Sequence, residues 1–252
     1  MMNMNGNASQ SELQPQTEDW RDFGPHRGRI LAREPLAKNV HSYVVEKPQG
    51  FEFRPGQAVE LSIDEDQWRD KKHPFTITSL PSNPCLEFII KSHPTREFPD
   101  HSGMTEHLGR DLQSGDHLIF GDAWGAIRYQ GPGVFIAGGA GITPFIAILR
   151  QLEQDQAIAG NRMFFSNRNA EDVFLRAELV RTFGSHVVCT LSGETHRDYE
   201  SGRIDKAWLQ ARIDDFQQPF YLCGPPAMVE AIRETLQQLG AHPDSLVFED
   251  DE

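Results

Sequence analysis

The chain has 252 residues, 38% of them hydrophobic, and a formal net charge of −13. At about 100 to 200 residues per domain, this length predicts two folded domains, and the acidic balance argues against binding to nucleic acid or to anionic membrane surfaces. Cys85, Cys189 and Cys223 are one too few for the four thiolates of the common iron–sulfur clusters.

Residues 1–24 are rich in Asn, Gln, Ser and Glu, which predicts a flexible arm. This segment lacks the apolar run of a secretory signal, and an odd, sparse cysteine count gives no disulfide framework, so we expect a cytoplasmic protein. The uncharged stretch 131–149 is nearly as long as a membrane span. Glycines and prolines interrupt it, which favours a buried strand and helix over membrane insertion.

Short runs of β-forming residues separated by Pro, Gly and Asn turns fill the region from 25 to 130. The predicted strands are 30–31, 42–45, 58–63, 75–78, 86–90 and 117–120. The only helix predicted here, 105–112, precedes the last strand. Six short strands of this kind predict a small antiparallel barrel.

Strands and helices alternate from 131 to 252. The predicted strands are 134–137, 163–166, 186–191, 220–223 and 246–248, and the predicted helices are 145–152, 171–182, 206–212 and 228–239. Five strands with intervening helices predict an open, mainly parallel sheet with helices on both faces. The second domain is therefore predicted to be α/β.

A glycine-rich turn over 138–144 joins the first strand of this sheet to its first helix. Glycines allow close approach to a pyrophosphate, and the N–H groups of a helix start attract its oxygens. Pro144 replaces the third glycine of the usual GxGxxG pattern, and a simple tight turn is the alternative. The segments 166–168 and 223–226 also follow strands, so all three loops are predicted at one sheet edge.

Three motifs in order, 73–79 (His-Pro-Phe-Thr-Ile-Thr-Ser), 138–144 and 223–226 (Cys-Gly-Pro-Pro), resemble the ferredoxin–NADP reductase superfamily. The resemblance covers roughly 27–252. It implies a Greek-key β-barrel that binds FAD over 25–130, followed by an α/β domain that binds NAD(P)H over 131–252. The histidines show no spacing with carboxylates that indicates a metal site.

In most of the family the first motif reads Arg-x-Tyr-Ser/Thr, and the version here resembles the ferric reductase and NADPH oxidase branch. By resemblance, His73 contacts the flavin pyrophosphate, the Phe75 ring lies on the flavin, and the Thr76 hydroxyl approaches N5. A neutral imidazole offers one hydrogen-bond donor where guanidinium offers a fork, so the permanent charge is weaker. Alternatively, Phe75 faces the barrel interior and His73 is a surface residue. The flavin-binding residues implied are His73, Pro74, Phe75, Thr76, Ile90, Lys91, Gly103, Met104 and Thr105, the last also a possible helix N-cap.

On the nucleotide side, the resemblance places Cys223 close to the nicotinamide, and Thr76 and Cys223 are the predicted catalytic residues. A buried, inert thiol is the alternative for Cys223. Arg168 favours NADPH, whereas Glu171 and Asp172 favour NADH, so the coenzyme stays open. The nucleotide-binding residues implied are Gly139, Ala140, Gly141, Ile142, Thr143, Pro144, Ser166, Asn167, Arg168, Cys223, Gly224 and Pro225.

Two aromatic residues have two interpretations each. The segment 121–125 resembles the family's Gly-Pro-Phe-Gly hinge, with Trp124 in the aromatic place, and burial at a domain interface explains Trp124 equally well. Phe248 either covers the flavin or continues a strand into the core.

The activity implied is an FAD-dependent oxidoreductase that takes hydride from NAD(P)H and passes electrons to a separate acceptor. A ferredoxin, a flavodoxin or an Fe–S partner subunit fits if a local basic patch around Arg69, Lys71 and Lys72 overrides the net charge. The alternatives are an NAD(P)H:flavin or ferric reductase with a small-molecule acceptor, and a regulatory module that binds nucleotide without turnover.

Overall fold

A computed structural model describes residues 20–125 and 127–247. Its first sheet contains six strands in the order β4-β3-β6-β1-β2-β5, and all neighbouring strands are antiparallel. A bridge between Ile77 and Phe88 connects the two outer strands and closes the sheet into a barrel. The strands are β1 (His26–Ala37), β2 (Val40–Glu46), β3 (Ala58–Ile63), β4 (His73–Thr76), β5 (Cys85–Lys91) and β6 (His117–Phe120), and α1 (Met104–Arg110) precedes β6.

The barrel interior follows the two-residue period of its strands. Val59, Leu61 and Ile63 of β3 are at most 1% exposed and lie in one apolar cluster, whereas Glu60 between them lies outside it. The six predicted strands and the helix are confirmed. Three strands are longer than predicted, two have the predicted bounds, β4 begins and ends two residues earlier, and α1 is one residue shorter. The predicted barrel is therefore correct.

The second sheet is wholly parallel, in the order β10-β9-β8-β7-β11-β12. Its strands are β7 (Val134–Gly138), β8 (Arg162–Asn167), β9 (Val187–Leu191), β10 (Glu200–Ser201), β11 (Phe220–Cys223) and β12 (Leu246–Val247). Its helices are α2 (Thr143–Gln154), α3 (Arg176–Phe183), α4 (Lys206–Gln210) and α5 (Pro226–Gln238). The prediction of five strands was one short, because the two-residue β10 has no periodicity to detect.

Helices cover both faces of this sheet, as the alternation of strand and helix predicts. Phe135 and Phe165 pack with α2 and α3, while Ile136 and Phe164 pack with α4 and α5. The predicted helix over 171–182 was wrong in its first half, which is a 3₁₀ turn at Ala170–Asp172. The chain then turns so that Phe174 is buried, and Leu175 takes φ +55° before α3 begins.

Ion pairs and apolar contacts join the two domains. Lys38 and Lys91 of the barrel pair with Glu171 and Asp172, at 2.7 and 3.2 Å. Val40 and Ile89 of the barrel belong to the same apolar cluster as α2. Among the residues that the structure describes, no helix is both long enough and apolar enough to span a membrane.

Candidate functional site

The β4 strand and the segment entering α1 come together beside the barrel. His73 Nε2 lies 3.0 Å from Ser102 Oγ, immediately before Gly103. Gly103 has φ +85°, a backbone conformation that favours glycine, and its N–H and those that follow open the first turn of α1. Two sequence segments predicted to contact one pyrophosphate are therefore adjacent.

The other β4 residues divide between the barrel interior and the surface. Phe75 pairs with the core residue Val59 and packs partly against the barrel core, while Pro74 is exposed and Thr76 is half-buried. The contact of Phe75 with the core agrees with the alternative interpretation of that residue. Its predicted contact with flavin, like that of Thr76, stays a prediction.

Three of the predicted flavin-binding residues have other roles in the fold. Met104 and Ile90 are 0% and 2% exposed in the barrel core, so only their backbones are available to a ligand. Thr105 does not cap α1, because Gly103 holds that position; its hydroxyl instead accepts a hydrogen bond from the His93 N–H at 3.1 Å. The hydroxyl proton of Thr105 remains available for donation.

Two glycines of the turn after β7 differ in the space around them. Gly139 has φ +54°, and a Cβ there would meet no atom within 4 Å, so this backbone faces open space. A Cβ on Gly141 would lie 2.5 Å from the backbone of Gly224. The first glycine therefore leaves room for a ligand, and the second holds the loop after β7 directly against the loop after β11.

The remaining residues of the turn stabilise it through burial and a hydrogen bond. Ile142 and Pro144 are buried, and the Thr143 hydroxyl donates to the Ala140 carbonyl at 3.0 Å. Cys223 and Pro225 lie on the facing loop, and Cys223 is half-buried. The Pro225 Cδ would lie 3.0 Å from a Cβ on Gly138, so this ring packs against the turn.

A pocket of about 490 Å³ opens at the carboxyl ends of β7 and β8. Both side-chain amide atoms of Asn167, a 4% exposed residue that lines this pocket, have no hydrogen-bond partner within the described chain. Buried polar atoms normally have partners, so a polar ligand is expected beside them. The pocket, the open Gly139 backbone and the Asn167 amide together fit a nucleotide. Its lining includes Lys91, Gly138, Gly139, Ser166, Asn167, Arg168, Asp172, Ser192, Arg203, Pro225 and Met228.

Some charged side chains at this pocket form ion pairs within the described chain and others do not. Asp172 pairs with Lys91, and Glu171 nearby pairs with Lys38. Arg168 and Arg203 are exposed at the pocket and have no carboxylate within 4.0 Å in the described part of the chain. Lys91, predicted from sequence to contact flavin, thus lies at the nucleotide pocket.

Cys189 differs from Cys223 in its surroundings. It lies within β9 at 9% exposure, and burial raises the pKa of its thiol to about 11, although the charge of Arg176 lowers that pKa. Cys189 is therefore a core thiol. Cys223, at the end of β11, is the cysteine next to the glycine cradle.

Sequence reasoning missed Ser102, Arg203 and Met228. Ser102 follows no motif, and Arg203 follows the two-residue strand that was not predicted. The sulfur of Met228, a residue of α5, would lie 2.5 Å from a Cβ on Gly138, so this side chain packs against the turn after β7. Only the position of Ser102 beside the Gly-Met-Thr segment offered a signal.

Two predictions about aromatic and basic groups change. Trp124 is 45% exposed and exchanges both backbone hydrogen bonds with Ala58, so burial at an interface does not explain it. Arg69 pairs with Asp64 at 2.7 Å and with Asp66, which removes it from the basic patch predicted with Lys71 and Lys72. Phe248 lies outside the described residues.

An antiparallel barrel joined to a parallel nucleotide-binding sheet defines the class of two-domain flavin and pyridine-nucleotide proteins. An FAD-binding domain family matches residues 28–117, and an oxidoreductase NAD-binding domain family matches residues 135–234. The chain belongs to the ferredoxin–NADP reductase superfamily, with FAD and NAD(P)H as cofactors.

Curated relatives cover most of the chain at modest identity. The reductase component of propane 2-monooxygenase from Rhodococcus jostii is 26% identical over 239 residues, which is 88% of this chain and 62% of the relative. NADH–cytochrome b5 reductase 1 of Arabidopsis thaliana is 28% identical over 248 residues, 90% of this chain and 83% of the relative. The chain thus spans less than two thirds of the first of these relatives.

Solved structures show the same fold. The FAD/NAD-binding domain of nitric oxide dioxygenase from Vibrio cholerae has a TM-score of 0.77 at 18% identity, over 88% of this chain and 97% of that one. A ferredoxin NADP+ reductase from Neisseria gonorrhoeae with bound FAD and NADP has a TM-score of 0.74 at 19% identity, over 89% and 97% of the two chains.

Proposed function

We propose that this chain is an NAD(P)H-dependent FAD reductase that delivers electrons to a separate acceptor. The observation that carries the proposal is the Gly141–Gly224 contact, which holds the nucleotide cradle and the Cys223 loop together beside the flavin barrel. The reductase components among the relatives support the same activity. The proposed domains are 25–130 and 131–252. Most of the arm predicted over 1–24 lies outside the described residues, and its described end contains a 3₁₀ helix at Trp20–Asp22.

When bound, FAD supplies the redox chemistry, taking hydride from the nicotinamide and passing electrons on. The chain's own residues bind and align the two cofactors. In this proposal His73 and the Gly103–Thr105 segment hold the flavin pyrophosphate, Phe75 and Thr76 contact the flavin ring, and Cys223 lines the approach of the nicotinamide. Alignment is the main contribution of such residues, because direct hydride transfer requires no general acid or base.

The acceptor lies outside these 252 residues in this proposal, because three cysteines cannot bind a four-thiolate cluster. An iron–sulfur protein or oxygenase partner is supported by the relatives, which include reductase components of propane monooxygenase and naphthalene dioxygenase systems. The cytoplasmic location predicted from the sparse cysteines is part of the same proposal.

The activity is tested by anaerobic spectroscopy. Purified protein, or apoprotein reconstituted with FAD, is expected to be yellow and to bleach when NADPH or NADH is added. Reoxidation by an iron–sulfur protein faster than by free flavin or ferric citrate would support a protein acceptor. A protein that retains no FAD and oxidises neither nucleotide would contradict the proposal and favour a non-catalytic nucleotide-binding module.

We further propose that NADPH binds more tightly than NADH. The acidic residues that would favour the ribose hydroxyl of NADH, Glu171 and Asp172, are paired with barrel lysines. Arg168 and Arg203 remain for a 2′-phosphate at the same pocket. Because these ion pairs occupy the carboxylates and leave the arginines unpaired in the described part of the chain, they favour NADPH over NADH, a choice that the sequence alone left open.

The double variant Arg168→Ala, Arg203→Ala is expected to raise the KM for NADPH about 100-fold and to change the KM for NADH less than about threefold. The difference arises because each arginine is expected to donate roughly one charge-assisted hydrogen bond to the 2′-phosphate, which NADH lacks. Steady-state kinetics with both nucleotides measure this. Arg197→Ala is the control, since Arg197 is 90% exposed and does not line the pocket. Equal losses for the two nucleotides would remove the arginines from coenzyme choice.

A further inference from the structure

The two segments predicted to hold the flavin pyrophosphate, 73–76 and 103–105, contain no arginine or lysine. The FAD pyrophosphate carries two negative charges, and the position next to it in this chain is His73, which unlike arginine is not permanently charged. We propose that Lys71, held over the indole of Trp68, supplies the permanent positive charge for the pyrophosphate of FAD. This inference rests on the proposed flavin binding.

Trp68 connects the loop after β3 to the start of α1. Its Cη2 lies 3.7 Å from the position of a Cβ on Gly103, and its ring stacks on His107 of α1, with centroids 5.4 Å apart and planes 24° apart. His107 is itself fixed, because its two ring nitrogens contact Glu65 and Asp111 at 2.9 and 2.7 Å. The indole is therefore a fixed wall of the predicted pyrophosphate site.

Lys71 is placed by the same indole. Its Nζ lies 4.4 Å from the Trp68 ring centroid, a cation–π distance, and its backbone N–H donates to the Trp68 carbonyl at 3.0 Å. The turn from 68 to 71 and the aromatic ring together restrict the side chain. A restricted ammonium loses less entropy when an anion binds, so it contributes more to affinity than a freely moving one.

Three other cations of the barrel domain are paired with carboxylates. Arg69 pairs with Asp64 and Asp66, Arg110 pairs with Asp111 at the opposite end of α1, and Lys91 pairs with Asp172. Lys71 has no carboxylate within 4.0 Å among residues 20–125 and 127–247. Its ammonium therefore lies over the indole that borders Gly103 and remains available to phosphate.

Lys72 provides a matched control. It is the neighbouring residue, carries the same charge and is exposed, but it makes no cation–π contact in the described chain. Replacing Lys71 or Lys72 by Met keeps most of the side-chain length and removes one charge in each case. General electrostatic attraction falls equally in both variants, so any difference between them reports the specific contact.

The experiment measures binding of FAD and of riboflavin, which lacks the pyrophosphate, to the apoprotein by flavin fluorescence. Lys71→Met is expected to raise the Kd for FAD about 10- to 100-fold and to weaken its salt dependence, with riboflavin unchanged. Lys72→Met is expected to change the FAD Kd less than about threefold. Lys71→Arg is expected to retain FAD affinity.

Equal FAD affinity in the Lys71 and Lys72 variants, or an equal loss for FAD and riboflavin in Lys71→Met, would overturn the inference. Either result leaves flavin binding by the parent chain intact. Failure of the parent chain to bind FAD would instead contradict the proposed function itself.

Discussion

Gly141→Ala is expected to slow reduction of the bound flavin by NAD(P)H about 100-fold, since misplacement by about 1 Å has a cost of this size. The new Cβ would lie 2.5 Å from both the Cα and the N of Gly224 and 2.6 Å from the Cys223 carbonyl carbon. All three are backbone atoms, which cannot rotate away. The loops that carry the nucleotide cradle and Cys223 must therefore separate.

Rapid-mixing absorbance of the FAD-loaded protein measures this rate. Gly121→Ala is the control, because its Cβ would meet nothing closer than 4.0 Å. FAD content is expected to be unchanged in both variants, since the contact lies in the nucleotide domain. A Gly141→Ala rate within about threefold of the parent rate would show that the loops tolerate separation and would remove the main support for the proposed alignment.

Arg150→Ala is expected to lower the free energy of unfolding by about 3 kcal/mol, near the usual cost of breaking a buried ion pair. Arg150 on α2 contacts Glu87 and the Thr78 carbonyl of the barrel, the latter at 2.9 Å, and Glu178 of α3 at 2.7 Å. Burial alone lowers the pKa of Arg150, but hydrogen bonding to Glu178 and the charge of Glu87 outweigh it and raise the pKa. Removing the guanidinium leaves the half-buried carboxylates of Glu87 and Glu178, one from each domain, without their shared cation.

Urea unfolding of the FAD-loaded protein, followed by circular dichroism, measures the change. Arg181→Ala is the matched control, because Arg181 on α3 pairs with Glu153 at 3.4 Å with 63% of its side chain exposed. Such surface pairs contribute about 0.5 kcal/mol. If the two variants unfold at the same urea concentration, Arg150 does not hold the domains together.

The nucleotide half of the site illustrates how far local sequence reaches. The Gly138–Pro144 turn was predicted from a strand, a run of glycines and a helix start, all within a dozen residues. Its partner loop at Cys223 was predicted because parallel strands end at one sheet edge. The contact of Gly141 with Gly224 was not predictable, because it depends on how closely two loops 83 residues apart in sequence approach each other.

The sequence by itself determined the two domains, the antiparallel barrel, the parallel sheet and the family, because strand and helix periodicity and glycine turns are local properties of the chain. Only the tertiary structure decided which charged side chains form ion pairs and which remain unpaired. Asp172 pairs with Lys91, Arg69 with Asp64, and Lys71 lies over Trp68 beside Gly103. Ion pairs and ring contacts form through space between elements distant in sequence, so the balance of charge at each cofactor pocket is set when the chain folds.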